Sequence, residues 1–351
     1  MKNIKANPTL SLVIPAYNEE KSIPIFYDEV IKIINRIKEN LDENLTYEMI
    51  FVDDGSKDNT VEVARELNKK DKNVKLVKFS RNFGKEAGIL AGLKFSKGKA
   101  VILMDADLQD PPYLIEKMYE IWSKNQAKII YAKRKDRTGE SFMKSKFSEA
   151  FYKIANFLSD VKIESGVRDF RLMDRCVIDE IIKMDEYHQF SKMIFAWVGF
   201  KHVCLEYDYK PRVAGESAWS FWGLFKYAIE GIISFSTTPL KLAFIVGLII
   251  SLFSGFYGLY IIFDTLINGN DVKGYPSLVS IILFLGGVQL MFLGIFGQYL
   301  ARVYEEVKKR PHYIVENTLG LKDDNLNSGE NEWKKLTSIQ INYYFKLKNI
   351  K

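Results

Sequence analysis

The chain predicts an α/β domain built on a mostly parallel sheet, followed by interfacial helices and two transmembrane α-helices. Three observations carry this. Short apolar runs alternate with amphipathic stretches through roughly the first hundred residues. Three of those runs end in polar clusters that carry carboxylates. Two long uncharged apolar runs follow residue 240.

The first strand is Leu10–Ala16, which runs into Tyr17-Asn18-Glu19. A helix from Ile23 to about Lys38 leads to the strand Glu48–Asp53 and the cluster Asp53-Asp54-Gly55-Ser56. A helix over Asn59–Lys69 precedes the strand Val74–Phe79, and a helix over Lys85–Ser96 precedes the strand Ala100–Met104. That last run stops at Asp105-Ala106-Asp107-Leu108-Gln109-Asp110, and Pro111-Pro112 suits the opening of another helix. In a parallel, helix-covered sheet ligands bind outside the carboxyl ends of the strands, so the three clusters mark one rim. Lys128–Ala132 reads as a further strand, followed by a basic turn, Lys133-Arg134-Lys135-Asp136-Arg137.

Phe147, Phe151, Ile154 and Leu158 recur at helical spacing and fit either a helix packed on the sheet or one in a membrane interface. Trp219–Phe235 is aromatic-rich and suits an interfacial helix. Leu242–Phe263 would span about 33 Å as a helix, at about 1.5 Å per residue, which is enough to cross a bilayer core. Tyr275–Ala301 is the second run, with Ser277–Leu300 as its span. Gly247, Ser251 and Gly255 form a small-residue stripe for close helix approach, and Gln289 is expected to face the partner helix. The division expected is a catalytic domain over 1–215, an interfacial region over 216–239, a hairpin over 240–303 with spans of about 242–263 and 277–300, and a tail over 304–351.

The hairpin loop carries Asp264, Asp271 and Lys273, whereas Lys241, Arg302, Lys308, Lys309 and Arg310 flank the other side. The positive-inside rule then places the catalytic domain and both termini in the cytoplasm of an integral inner-membrane protein. The first apolar stretch is short and interrupted by Pro15, unlike a secretory leader. A net charge of +6, without basic runs interleaved with aromatics, gives no sign of nucleic-acid binding. Cys176 and Cys204 make no disulfide framework. His188, His202 and His312 follow no catalytic or metal spacing and read as structural.

The chemistry concentrates at Asp105, Asp107 and Gln109. Carboxylates spaced i and i+2 at the end of a buried strand suit Mg²⁺ or Mn²⁺, although an acidic turn shares the pattern. No Gly-x-Gly-x-x-Gly follows the first strand and no Walker lysine is present, so phosphates must be held in another way, and a metal on Asp105 and Asp107 supplies one.

Several stretches then carry a family likeness. They are Val13-Ile14-Pro15-Ala16-Tyr17-Asn18-Glu19-Glu20, Val52-Asp53-Asp54-Gly55-Ser56 and Ser80-Arg81-Asn82-Phe83-Gly84-Lys85-Glu86. Asp105 to Pro112, Asp169-Phe170-Arg171-Leu172-Met173 and Trp197-Val198-Gly199-Phe200 follow. Arg212-Val213-Ala214-Gly215-Glu216-Ser217 and Arg310-Pro311-His312-Tyr313 complete the set. The chain resembles glycosyltransferase family 2, and within it the polyprenyl-phosphate glycosyltransferases, over about residues 8 to 315.

The resemblance implies a GT-A fold and inverting transfer from a nucleotide sugar, a UDP-hexose such as UDP-glucose, to a polyprenyl phosphate in cell-envelope glycosylation. It assigns Pro15, Ala16, Tyr17, Glu19, Asp53, Asp54, Lys85 and Asp105 to the nucleotide, and Asp105, Asp107 and Gln109 to the metal. Asp105, Asp107, Arg134, Arg137, Arg171, Arg212 and Ser217 form the catalytic set, in which the arginines bind anions. It also makes a homo-oligomer, dimer or tetramer, plausible. On the residues alone, Arg134 and Arg137 also fit a solvated turn, Arg171 an ion pair and Asp53 a loop brace. Ser217 is followed by Ala218 and Trp219 where relatives carry a lysine and an aromatic, which leaves the acceptor contact one charge short. A phosphate monoester has a second pKa of about 6, so the acceptor is already ionised and needs no histidine base. A transferase for a soluble glycan or a growing polysaccharide, or a non-catalytic scaffold, is the alternative; the Gln-x-x-Arg-Trp motif of processive synthases is absent.

Overall fold

The structure is a computed structural model that describes residues 7–135, 166–184, 186–187, 189–208, 238–268 and 274–321. Arg137, Arg212, Ser217, Ala218, Trp219, His188, the stretch 147–158 and the aromatic segment 219–235 lie outside the described residues.

The order is β1 (Leu10–Ala16), α1 (Ser22–Asn40), β2 (Tyr47–Asp53), α2 (Thr60–Lys70), β3 (Val74–Phe79), α3 (Lys85–Phe95), β4 (Ala100–Leu103) and α4 (Leu114–Ser123). Then come β5 (Ile129–Arg134), β6 (Val167–Asp174), α5 (Arg175–Lys183), α6 (Ser191–Trp197) and β7 (His202–Tyr207). Two long helices, α7 (Thr238–Asn268) and α8 (Tyr275–Lys308), precede β8 (Val315–Leu319).

The strands form one sheet in the order β7-β5-β6-β4-β1-β2-β3-β8. β1 pairs in parallel with β2 and β4, β2 with β3, and β5 with β7, while β6 and β8 run antiparallel to their neighbours. This is the mostly parallel α/β plan that the sequence predicts. Ala16 stands in register with Asp53, and Val13 with both Ile50 and Leu103, so the ends of β1, β2 and β4 share one rim.

Alternation along the strands fills both faces of the sheet. Leu10, Leu12, Ile14, Met49 and Phe51 face one core, which α1, α2 and α4 cover; Ile23, Phe26, Val30, Ile33, Ile34 and Ile37 are the buried stripe of α1. Val13, Val101 and Leu103 turn to the other face, under Ile89 and Leu93 of α3 and Val177 and Ile178 of α5. α3 approaches β1 closely at Gly92, where a Cβ would lie 2.1 Å from Val13 Cγ1. Glycine is needed there for space.

The sequence reading needs three corrections here. β5 continues to Arg134, so Lys133 and Arg134 belong to a strand and not to a turn. The expected tail does not leave the fold at 304: α8 runs to Lys308, and β8 then adds an edge strand to β3. Gln289 is exposed on α8 rather than turned to its neighbour; the two helices approach at Gly247, where a Cβ would lie 3.5 Å from Phe292 Cε2.

Both long helices extend beyond the expected spans. They carry their large apolar side chains outward: Phe253 is 77% exposed and Leu290 73%. Among the described residues one stretch, Phe284–Lys308, is long and apolar enough by length and composition to cross a membrane.

Candidate active site

The first two strand ends are tied to each other and to the turn after β3. Asn18, in the left-handed region at φ 57°, accepts the Lys57 amide at 2.8 Å and donates its own amide to Ser56 Oγ at 2.9 Å. The Asp54 amide donates to the Ala16 carbonyl at 3.0 Å. Glu19 donates its amide to Thr60 Oγ1 and accepts from Ser22 Oγ at 2.6 Å. Pro15 and Ala16 end β1, and Tyr17 is left 42% exposed at the rim.

Asp53 and Asp54 use their oxygens on backbone. Asp53 is fully buried and accepts the Ser56 amide at 3.2 Å. Asp54 accepts Phe83 N–H at 2.6 Å through Oδ1 and Gly84 N–H at 2.9 Å through Oδ2. Burial raises both carboxyls, and these amides oppose the shift. The two residues shape the rim as braces. Gly55, at φ 71°, lets the loops close up: a Cβ there would lie 2.6 Å from the Arg81 carbonyl carbon.

The third strand end holds the acidic cluster. Gln109 donates its amide to Asp107 Oδ1 at 3.1 Å. Between them the buried Leu108 takes φ 57°, an uncommon conformation for a bulky residue and of a kind that clusters at functional sites. Lys85, at the start of α3, places its ammonium 2.7 and 2.8 Å from the two oxygens of Asp105 and 2.6 Å from Asp169 Oδ2. Burial disfavours that ammonium, but Asp105 and Asp169 outweigh it and raise the lysine. Burial works against the Asp169 carboxylate too, and Lys85 overrides it and holds the carboxyl well below the usual range. Asp169 Oδ1 is buried with no hydrogen-bond partner among the described residues.

Two of the expected site residues are held by the protein's own groups. Gln109 Oε1 accepts from the Arg168 guanidinium at 2.6 Å, so the amide oxygen assigned to a metal is already engaged. Arg171 is 3% exposed; it donates to the Asp169 and Arg168 carbonyls and lies 4.0 Å from the Phe195 ring centre. It props the β6 backbone beneath Asp169. Arg134 does stand at the rim, opposite Tyr207 in the β5–β7 register.

Sequence reasoning passed over four groups. Asp169 was visible only as part of a motif. Arg168 bridges Gln109 and, at 3.3 Å, Asp110 Oδ1. Asp110, 1% exposed, also accepts from Tyr207 Oη at 2.5 Å, and burial raises its carboxyl against the pull of Arg168. Glu86 accepts the Ser191 amide at 3.1 Å, which ties α3 to α6. His202 packs on Tyr131 and His312 on Tyr187, consistent with structural roles.

Among the described residues no three acidic, imidazole or thiolate groups converge as a self-sufficient metal site. Asp105 and Asp107 nevertheless fit a Mg²⁺-type ion, which binds through one or two carboxylates and takes its other ligands from phosphates and water.

The family model for glycosyl transferase family 2 matches residues 11–182. A bactoprenol glucosyl transferase of Shigella phage SfII is 44% identical over 309 residues, covering 88% of this chain and 98% of that protein. A prophage bactoprenol glucosyl transferase homolog of Escherichia coli K12 is 44% identical over 307 residues, covering 88% and 98%. An uncharacterized glycosyltransferase of Synechocystis sp. is 44% identical over 312 residues, covering 89% and 96%. Among solved structures, glucosyl-3-phosphoglycerate synthase from Mycobacterium tuberculosis, in complex with Mn²⁺ and UDP-glucose, aligns with 19% identity and a TM-score of 0.41 over 65% of this chain and 78% of that one.

Proposed function

The chain belongs to glycosyl transferase family 2 and is a glycosyltransferase, and from that premise we propose that it moves a hexose from a UDP-sugar to a polyprenyl phosphate, with inversion, at the cytoplasmic face of a membrane. The observation that carries this is the juxtaposition of Asp105 and Asp169 around Lys85 on the ligand-binding rim, with Asp107 two residues on in the same loop, in a chain that also exposes the apolar helix Phe284–Lys308. The bactoprenol glucosyl transferases that match nearly end to end favour the lipid phosphate acceptor.

When bound at Asp105 and Asp107, Mg²⁺ or Mn²⁺ supplies neutralisation of the diphosphate leaving group. The protein's own groups do the rest. Lys85 keeps Asp105 and Asp169 from repelling each other and limits the negative charge that an incoming anion meets. Arg168 and Tyr207 fix Asp110, and Arg168 fixes Gln109, so the loop after β4 is pre-set before ligand arrives. Arg134, Arg137, Arg212 and Ser217 are the side chains assigned to the acceptor phosphate; Arg171 takes no part in that set. The acceptor is a dianion near neutral pH, so the nucleophilic oxygen needs no proton removed.

In this reading α7 and α8 both cross the bilayer, with Lys241 and the Arg302–Arg310 flank on the cytoplasmic side. Anchoring confines the enzyme to the surface where its lipid acceptor lies and so raises the effective concentration. The test is to incubate membranes containing the protein with labelled UDP-hexoses and extract with organic solvent. Label is expected in the lipid phase, with loss on EDTA treatment and recovery with Mg²⁺ or Mn²⁺. Label confined to polymer or to water-soluble product overturns the acceptor assignment.

A further inference from the structure

The segment that leaves α8 does not trail away. Lys309 turns the chain at φ 49°, the Ser80 amide donates to the Ile314 carbonyl at 3.0 Å, and β8 pairs antiparallel with β3. Glu316 adds an ion pair to Lys78 at 2.9 Å. Arg310-Pro311-His312-Tyr313, the motif to which no chemistry was assigned above, is the start of this strap.

Tyr313 begins a stack that ends at the donor rim. Its ring lies on Phe79 with centroids 5.0 Å apart and planes 12° from parallel. Phe79 meets Phe83 edge-on at 5.8 Å and 89°. The exposed Arg81 places its guanidinium carbon 4.2 Å from the centre of the Phe83 ring. Phe83 and Gly84 are the residues whose amides Asp54 grips, and Lys85 follows them directly. A second tether holds the same strap: Glu306, near the end of α8, accepts the Tyr187 amide at 2.7 Å, and Tyr187 packs on His312.

We propose that Tyr313 is a positioning residue for the nucleotide-sugar site. The strap that emerges from α8 sets the 81–84 turn through the Tyr313-Phe79-Phe83 stack. That turn in turn fixes where Asp54 closes the rim and where α3 presents Lys85. The inference rests on the reading that this rim takes a nucleotide sugar. It makes the seating of the catalytic domain on α8 and the affinity for donor two sides of one contact.

The full-length protein in nanodiscs provides the test, with UDP and UDP-glucose as probes. Wild type should bind UDP by calorimetry. Tyr313→Leu keeps apolar bulk but loses the ring stack, and it should weaken UDP binding and raise the UDP-glucose KM about three- to tenfold, with kcat within about twofold. Tyr313→Phe should match wild type. A Leu variant that binds UDP as wild type does overturns the proposal. Should that variant fail to fold, hydrogen exchange on wild type decides. UDP-glucose should slow exchange in 313–319 together with 81–84, and protection of 81–84 alone overturns the coupling. Absence of UDP binding by wild type overturns the donor reading itself and the inference with it.

Discussion

At the N-terminal rim of the sheet, Glu48 is 1% exposed and both its oxygens are engaged, one by Ser11 Oγ and the Lys97 amide, the other by Lys75. Asp174 on the same rim accepts from the Cys176 amide, from Trp122 Nε1 and from Lys128. At the C-terminal rim, Asp110 is buried as deeply as Glu48 and Asp169 is half-buried, yet each keeps one oxygen that is buried and without a hydrogen-bond partner among the described residues. A buried polar atom left unpaired costs about 1–3 kcal/mol, so a fold retains it where something else repays the loss. The contrast separates carboxylates whose oxygens the fold uses in full from carboxylates that keep one in reserve, although both sets look alike as letters in a sequence.

The strongest way to break that contrast is to neutralise the loop after β4. Asp107→Asn should lower lipid glycosylation by about 10²–10³-fold, the scale of losing one electrostatic contact to developing charge, while melting stays near wild type. Turnover within a fewfold of wild type, measured as solvent-extractable label, would remove Asp107 from the chemistry. Lys85→Met should have the next largest effect, about 10–100-fold on kcat/KM, because it leaves Asp105 and Asp169 facing each other without their shared cation. Its signature is a changed Mn²⁺ requirement in a metal titration, which a merely destabilised protein would not show.

These residues also mark where sequence reading stops. The strands β1 to β4 were legible because a strand covered on both faces is a continuous apolar run. β6 was not, since its eight residues include Arg168, Asp169, Arg171 and Asp174, and the burial of Arg171 depends on Phe195 arriving from a different element. The identity of the acidic clusters was legible, but their use was not. Asp54 is consumed by amides 29 and 30 positions away, and Gln109 by an arginine 59 positions away. Such pairings belong to the tertiary structure alone. The internal partners of Arg171 and Gln109 therefore could not be read from the sequence.

The opposite rim should respond in stability and not in turnover. Glu48→Gln puts an amide, which can only accept on one side, against the Lys75 ammonium, the Ser11 hydroxyl and the Lys97 amide, all of them donors. A loss of about 1–2 kcal/mol is expected, read as an earlier urea midpoint, with activity per folded molecule unchanged. A drop in turnover without a shift in the midpoint would mean that the two rims are not distinct in role.

Asp174 gives the smallest and most specific effect. Burial alone would raise its carboxyl, but the contact with Cys176, Trp122 and Lys128 hold it down at about 2. A carboxyl lowered in the folded state stabilises the protein above its unfolded pKa, and that stability is lost as pH falls through the folded value. The window is therefore about pH 4 down to 2. Asp174 also caps α5 through the Cys176 amide, and asparagine caps a helix about as well as aspartate. Asp174→Asn thus removes the charge pairing and spares the cap. Lys128 is 38% exposed, so solvent screens the pair and the loss at pH 7 should be about 0.5–1 kcal/mol. Thermal melts of the two proteins should converge as pH falls from 4 to 2, with equal glycosyl transfer at neutral pH. Melting curves that stay parallel through that window would show that Asp174 is not held ionised by its neighbours.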